Sequence, residues 1–266
     1  MTYENDHRAV SAAPVDARVM PLTGRRVAHF SCGAASAVAT KLSAPDVIWY
    51  AATGSEDADN ARFMADCAAW FGAPIKVLRN PKYADTWAVW EARRYIAGIA
   101  GAPCTSELKV GPQLAEQRPG DVHIFGYTAD GPDIRRAKAL RENWPDLIVE
   151  TPLIDRGINK AACLAMLETA GIAPPRTYAL GFPNANCIPC CKAQSPAYWA
   201  LVRRHYPEQF GRMAELSRRL GVTLTRLQGE RAFIDEIPAD HPVTDPIAPA
   251  CDLLCHLAER DLLTPQ

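Results

Sequence analysis

No stretch of the chain approaches the roughly 18 consecutive apolar residues of a membrane span, and neither sign of charge is in excess. Lysine and arginine number 29 against 30 aspartates and glutamates, a formal net charge of −1. The first absence excludes a helical membrane protein. The second removes the global field that draws a protein to nucleic acid or a lipid surface. The N-terminus, MTYENDHRAVSAAPVDARVM, is polar and mixed in charge and lacks the pattern of a secretory signal. Internal repeats and long low-complexity tracts are also missing, as are the phosphate-loop patterns G-x-x-x-x-G-K-[ST] and G-x-G-x-x-G. These absences lead to the expectation of a cytoplasmic protein with no membrane partner.

What the chain has in quantity is cysteine, nine in 266 residues: Cys32, Cys67, Cys104, Cys163, Cys187, Cys190, Cys191, Cys251 and Cys255. In a reducing compartment, clustered cysteines argue for metal or redox chemistry rather than a disulfide frame, and an odd number fits complete pairing poorly. Cys67 and Cys163 fall inside helical apolar patterns and are expected in the core.

Strands are predicted at 27–31, 46–51, 74–78, 122–127 and 147–150, with helical periodicity at 57–70, 84–99 and 159–170 between and after them. Strands alternating with helices predict an α/β fold, a mostly parallel sheet with helices on both faces. After residue 183 the character changes to a cysteine-dense loop and two amphipathic helices, 196–206 and 207–220. A turn and proline-rich tract at 235–249 then leads to a last helix near 251–260. The chain therefore divides into a flexible N-terminal arm (1–20), an α/β domain (21–180) and a cysteine-rich helical lobe with a C-terminal tail (181–266).

The segment FSCGAASAVA, Phe30–Ala39, crowds small residues between a strand and a helix. Backbone amides near Cys32–Ser36 are suited to cradling a phosphate, with Gly33 supplying unusual dihedrals and Ser31 and Ser36 adding hydroxyls. The segment resembles the PP-loop, S-G-G-x-D-S, of N-type ATP pyrophosphatases and PAPS reductases. Ser31, Gly33 and Ser36 match it; Cys32 stands where the family has glycine and Ala35 where it has aspartate. Three cysteine stretches are similar to the same family. PCTSELK (Pro103–Lys109) resembles the Cys-Cys-x-x-x-Lys region of APS reductases, with Cys104 matching the second cysteine, Pro103 replacing the first, and Lys109 in the Leu-Lys pair that follows. NCIPCCK (Asn186–Lys192) resembles their Cys-x-x-Cys, matching Cys187 and Cys190. ACDLLCH (Ala250–His256) resembles, more loosely, the C-terminal motif that carries the nucleophilic cysteine, here Cys251. Thr53 and Gly54 match a strand-end Asp-Thr-Gly region.

The resemblance implies a HUP/PP-loop-like nucleotide-binding domain, with Ser31, Cys32, Gly33, Ser36, Thr53, Gly54, Arg135 and Arg136 as nucleotide-binding residues. The two arginines would clamp phosphate oxygens. The ligand would be ATP, APS or PAPS, with or without magnesium. Soft thiolates suit a [4Fe–4S] cluster or, alternatively, zinc. Cys104, Cys187 and Cys190 supply three ligands, and the fourth comes from Cys191, Cys251 or Cys255, with the C-terminal pair preferred, or the position remains open to an exogenous sulfide. Lys109 beside such a centre would stabilise thiolates and a bound anion.

The expected function is an Fe–S enzyme of sulfur metabolism that transfers sulfur to a nucleotide-activated acceptor. The alternatives are an APS/PAPS reductase releasing sulfite with thioredoxin, and a metal-stabilised module without catalysis. Thioredoxin, a sulfide donor and a second copy of the chain enter as partners. Arg203, Arg204, His205, Arg218 and Arg219, near Tyr198 and Trp199, read either as an RNA- or DNA-facing surface or as the wet side of amphipathic helices.

Overall fold

The computed structural model describes residues 24–99, 101–244 and 246–247. The expected N-terminal arm, the expected last helix, Cys251 and Cys255 lie outside the described residues.

The five apolar runs form one parallel sheet: β1 (Arg26–Phe30), β2 (Val47–Ala51), β3 (Ile75–Leu78), β4 (Val122–Ile124) and β5 (Ile148–Glu150). Its order is β3-β2-β1-β4-β5. The chain steps outward from β1 to β3, crosses back to place β4 against β1, and steps outward again to β5. The direction of winding reverses between β1 and β4, and ligand crevices of open α/β sheets lie beyond the strand carboxyl ends at such a point. This is an α/β fold of the Rossmann/HUP-like kind.

The helices, in chain order, are α1 (Ala34–Ser43), α2 (Asn60–Phe71), α3 (Thr86–Arg93), α4 (Pro103–Thr105), α5 (Gly111–Glu116), α6 (Gly131–Asn143), α7 (Pro152–Asp155), α8 (Lys160–Thr169), α9 (Arg176–Ala179), α10 (Pro196–His205) and α11 (Pro207–Leu220). A five-residue π-helical turn, Ser106–Val110, joins α4 to α5. Two departures from periodicity have local causes. The helix predicted from residue 57 starts at Asn60, because the Asp57 side chain accepts the Asp59 amide and holds 57–59 as a turn. The helix predicted to 99 stops at Arg93, where Arg94 takes a left-handed conformation (φ 47°).

Side chains on the two faces of the sheet meet different surroundings. Ala28, Phe30, Ile48 and Tyr50 belong to the main core with α1, α2 and α8, and Cys67 and Cys163 are buried in it. On the opposite face Val27, Trp49 and Leu78 form a smaller cluster. That face is flanked by α5 and α6, which leave an open cavity over it. A second large core lies in the C-terminal lobe, where Trp199, Val202, Phe210 and Met213 pack with Trp87, Trp90, Ile96 and Ala102. The lobe also holds a hairpin, β6 (Thr225–Leu227) and β7 (Glu230–Ala232), whose turn residues Gln228 and Gly229 both have positive φ. Both positive dihedrals mark a primed turn, usually signalled by Asn-Gly; Gln-Gly hides it. No helix among the described residues is long and apolar enough to cross a membrane.

A polar clasp joins the lobe to the sheet. Asp57, just past β2, is buried and accepts hydrogen bonds from Arg176 and from the Tyr206 hydroxyl between α10 and α11. Burial alone would raise its carboxyl, but these two donors hold it below the usual carboxylate range. Asp59 pairs with Arg62 and accepts the Arg176 amide.

Candidate functional site

The loop between β1 and α1 closes around one hydroxyl. Ser36 Oγ accepts from the Ser31 amide (3.0 Å) and the Gly33 amide (3.3 Å), and donates to the Gly33 carbonyl (2.9 Å). Ser31 Oγ lies 3.1 Å away. The buried Tyr178 hydroxyl takes the Ala34 amide at 3.1 Å. The unusual dihedral belongs to Cys32 (φ 55°), whereas Gly33 is extended (φ −105°, ψ 155°). This corrects the expectation for Gly33. Cys32 is fully buried, its sulfur 3.7 Å from the Asn60 carbonyl, and burial pushes its thiol up to about 12. The side chain is therefore a plug in the core, and only its backbone faces the loop. The glycine that the loop needs is Gly126, beyond β4. A Cβ there would stand 2.6 Å from Ser36 Cα and 2.7 Å from Ser36 N, so only glycine lets the β4 end lie against the first turn of α1.

Ser31 and Ser36 line a cavity of about 690 Å³ over the second face of the sheet. Its floor holds Trp49, His29 and His123, with Phe125 stacked on His29 at a centroid distance of 4.2 Å. His29 Nε2 and His123 Nδ1 share a 2.9 Å hydrogen bond. Burial pushes His29 down to about 3 and lowers His123, so the pair is neutral. Glu56 reaches the same cavity and accepts from both the Thr53 amide and hydroxyl (2.6 and 2.8 Å). Gly54, at φ 68°, sits with its Cα so close to Ala84 that a Cβ would meet the carbonyl oxygen at 2.1 Å.

Four cysteines, Cys104, Cys187, Cys190 and Cys191, line a second cavity of about 440 Å³. Thr53 Oγ1 is 3.0 Å from Cys187 Sγ, and the Ile188 amide donates to the Ser55 carbonyl at 2.7 Å, so the cysteine loop is pinned to the end of β2. The Cys190 amide donates to the Tyr198 hydroxyl at 2.6 Å. Cys104 Sγ and Cys191 Sγ are 3.7 Å apart. The hydrogen bond from Cys191 lowers the Cys104 thiol, with Lys192 and Lys109 adding to the effect, while Cys191 is pushed up. Burial raises Cys187 to about 11 against the pull of Lys109.

The two cavities share Thr105, Lys109, Asn186 and Cys187 in their walls. Lys109 arrives there on the π-helical turn, which the Gly111 amide closes onto the Ser106 carbonyl; Pro112, just beyond, has no amide to donate. Of the expected phosphate clamp, Arg136 lines the cysteine cavity and pairs with Asp133 at 2.8 Å. Arg135 is exposed on α6 and lines neither cavity.

The structure thus brings Ser31, Ser36 and Lys109 to one cavity, and Thr53, Cys104, Lys109, Arg136, Cys187 and Cys190 to the other. Sequence reasoning missed Gly126, Tyr178, Lys192 and the two histidines, and placed Tyr198 on a nucleic-acid-facing surface rather than against the Cys190 amide. Gly126 carries a signal, a glycine inside the apolar run predicted as a strand over 122–127; the others carry none. Three of the basic residues of the lobe have local partners. Arg203 donates to the Ile237, Pro238 and Ala239 carbonyls, Arg218 pairs with Asp235 and Glu236, and Arg219 with Glu91.

Among the described residues no three His, Cys, Asp or Glu side chains stand close enough to hold a single ion. Four thiols line the cavity of about 440 Å³, and three cations, Lys109, Arg136 and Lys192, line the same wall, a soft and positively flanked donor set that suits a thiolate-bound centre. Such a wall offsets the negative charge of a thiolate-bound cluster. No model of a known protein family matches the chain, and no curated protein matches it.

Proposed function

We propose that the protein is a nucleotide-dependent enzyme of sulfur chemistry, with an adenine nucleotide in the larger cavity and a cysteine-held iron–sulfur centre in the smaller. The observation that carries this reading is the shared wall: Lys109 and Cys187 belong to both cavities. A nucleotide with its phosphates at Ser31–Ser36 would therefore end beside the thiols. The 690 Å³ volume suits a mononucleotide, and the aromatic floor suits a purine ring. Ser36 Oγ already gathers two amides, the donors that a phosphate oxygen would take if the hydroxyl turned aside.

Cys104, Cys187, Cys190 and one further thiolate would hold the centre, which when bound would place a redox-active iron–sulfur group beside the nucleotide. Lys109 would neutralise the anion brought to the shared wall. The reaction favoured is sulfur transfer: ATP adenylates an oxygen of the acceptor with release of pyrophosphate, and a sulfur nucleophile displaces AMP. Reduction of a sulfonucleotide to sulfite by a dithiol partner is the second reading. It is supported by Arg136 and Lys192, cations placed to receive a sulfate group.

Calorimetric titration of the anaerobically prepared protein with ATP, APS and PAPS tests the reading. Saturable binding of one of them, weakened at least tenfold in Lys109→Ala, is expected. Absence of binding by all three would refute it. Sulfite release from APS or PAPS with thioredoxin would select the second reaction.

A further inference from the structure

We propose that Cys191 is the fourth ligand of the metal centre, so that Cys104 and residues 187–191 supply the complete thiolate set without a sulfur from the C-terminal tail. The proposal rests on the metal-centre reading above and goes beyond it by naming the ligand and the centre's saturation. Cys191 lies outside the Cys-x-x-Cys spacing, and a buried cysteine next to a tryptophan-rich core has an ordinary explanation as a small apolar residue. Three observations favour the ligand role. Its sulfur faces that of Cys104 at 3.7 Å, although the two residues are 87 apart in sequence. It lines the same cavity as Cys187 and Cys190. The loop is also held in place: the Ala193 amide closes the turn onto the Cys190 carbonyl at 3.0 Å, Trp199 Nε1 donates to the Ala193 carbonyl at 2.9 Å, and Tyr198 holds the Cys190 amide. This turn is what lets two successive side chains, Cys190 and Cys191, open onto one cavity; in an extended strand they would point to opposite sides.

The consequence is chemical. Four protein thiolates leave no open metal position, so a transferred sulfur would have to be carried by something other than the cluster.

The test is reconstitution with ferrous iron and sulfide under argon, followed by iron and sulfide analysis and electron paramagnetic resonance. Wild type is expected to take up about four irons per chain. Cys191→Ser is expected to lose about one iron and to show a three-iron signal after mild oxidation, while Cys251→Ser and Cys255→Ser match wild type. Circular dichroism of each metal-free variant identifies any that fails to fold, and Cys191→Ala then provides a second measurement. Full iron content with a wild-type spectrum in both Cys191 variants would overturn the proposal while leaving the metal-centre reading intact. No iron uptake by wild type would overturn both.

Discussion

Gly33 and Gly126 show how unequal two glycines of one site can be. A Cβ on Gly33 would meet the Tyr178 hydroxyl at 3.4 Å, an ordinary contact, and its backbone is in a region open to any residue. A Cβ on Gly126 would overlap the Ser36 backbone, which sits at the start of α1 and cannot yield without moving the loop. Gly33→Ala is therefore expected to fold like wild type. Gly126→Ala is expected to lose on the order of 1–3 kcal/mol through overpacking and to weaken nucleotide binding along with stability. Denaturant titration of both variants checks this. Equal stability of Gly126→Ala and wild type would contradict the close approach of β4 to α1. The loop's identity was legible from Ser31, Gly33 and Ser36, but Gly126 is 90 positions beyond Ser36. Its role depends on β4 lying beside β1, which composition near the loop cannot reveal.

At the scale of elements, β1 and β4 meet through more than their ladder. His29 and His123 bond to each other in the interior, and the outer nitrogen of each, Nδ1 of His29 and Nε2 of His123, is buried without a hydrogen-bond partner among the described residues. The folded chain holds both rings neutral, His29 down to about 3, whereas the unfolded chain protonates them near an ordinary value of about 6.5. Below that pH the unfolded state binds more protons, so stability is fully present above about pH 6.5 and falls as pH drops toward 3. Urea midpoints from about pH 7 to about pH 4 should decline, and less steeply in a His29→Gln, His123→Gln double variant. A slope that the double variant leaves unchanged would assign the acid sensitivity to other groups. The strands themselves were legible, because their β-branched and aromatic runs stand out. The histidine pair was not, since each residue alone reads as an ordinary polar position in a strand.

Across the whole molecule, the cysteine cavity lies between the C-terminal core and the loop beyond β2. Cys104 borders the C-terminal core and also the small cluster of Tyr83, Val89 and Leu108. The Cys187 loop is bonded to the end of β2, and the Asp57–Arg176–Tyr206 clasp joins the same two regions. A group bound by thiolates from both sides would cross-link them, and its binding energy would add to folding. Reconstituted protein is expected to melt several degrees above the metal-free form, with the gap closing after chelation. Coincident melting curves would show that the cavity contributes nothing to cohesion.

The amino-acid sequence by itself determined the parallel sheet and its helices, the helical pair of the lobe, and the burial of Cys67 and Cys163, because these follow from local periodicity and the hydrophobic effect. It also marked Cys187 and Cys190 through their spacing, and Cys104 and Lys109 through a resemblance to reductase motifs. Only the tertiary structure decided that Cys32 is a core plug, that Arg135 points away from both cavities, and that Cys191 faces Cys104. Each of these turns on which way one side chain leaves the backbone relative to residues 28 to 87 or more positions away. That direction is set by strand order and loop closure, and no window of sequence contains it.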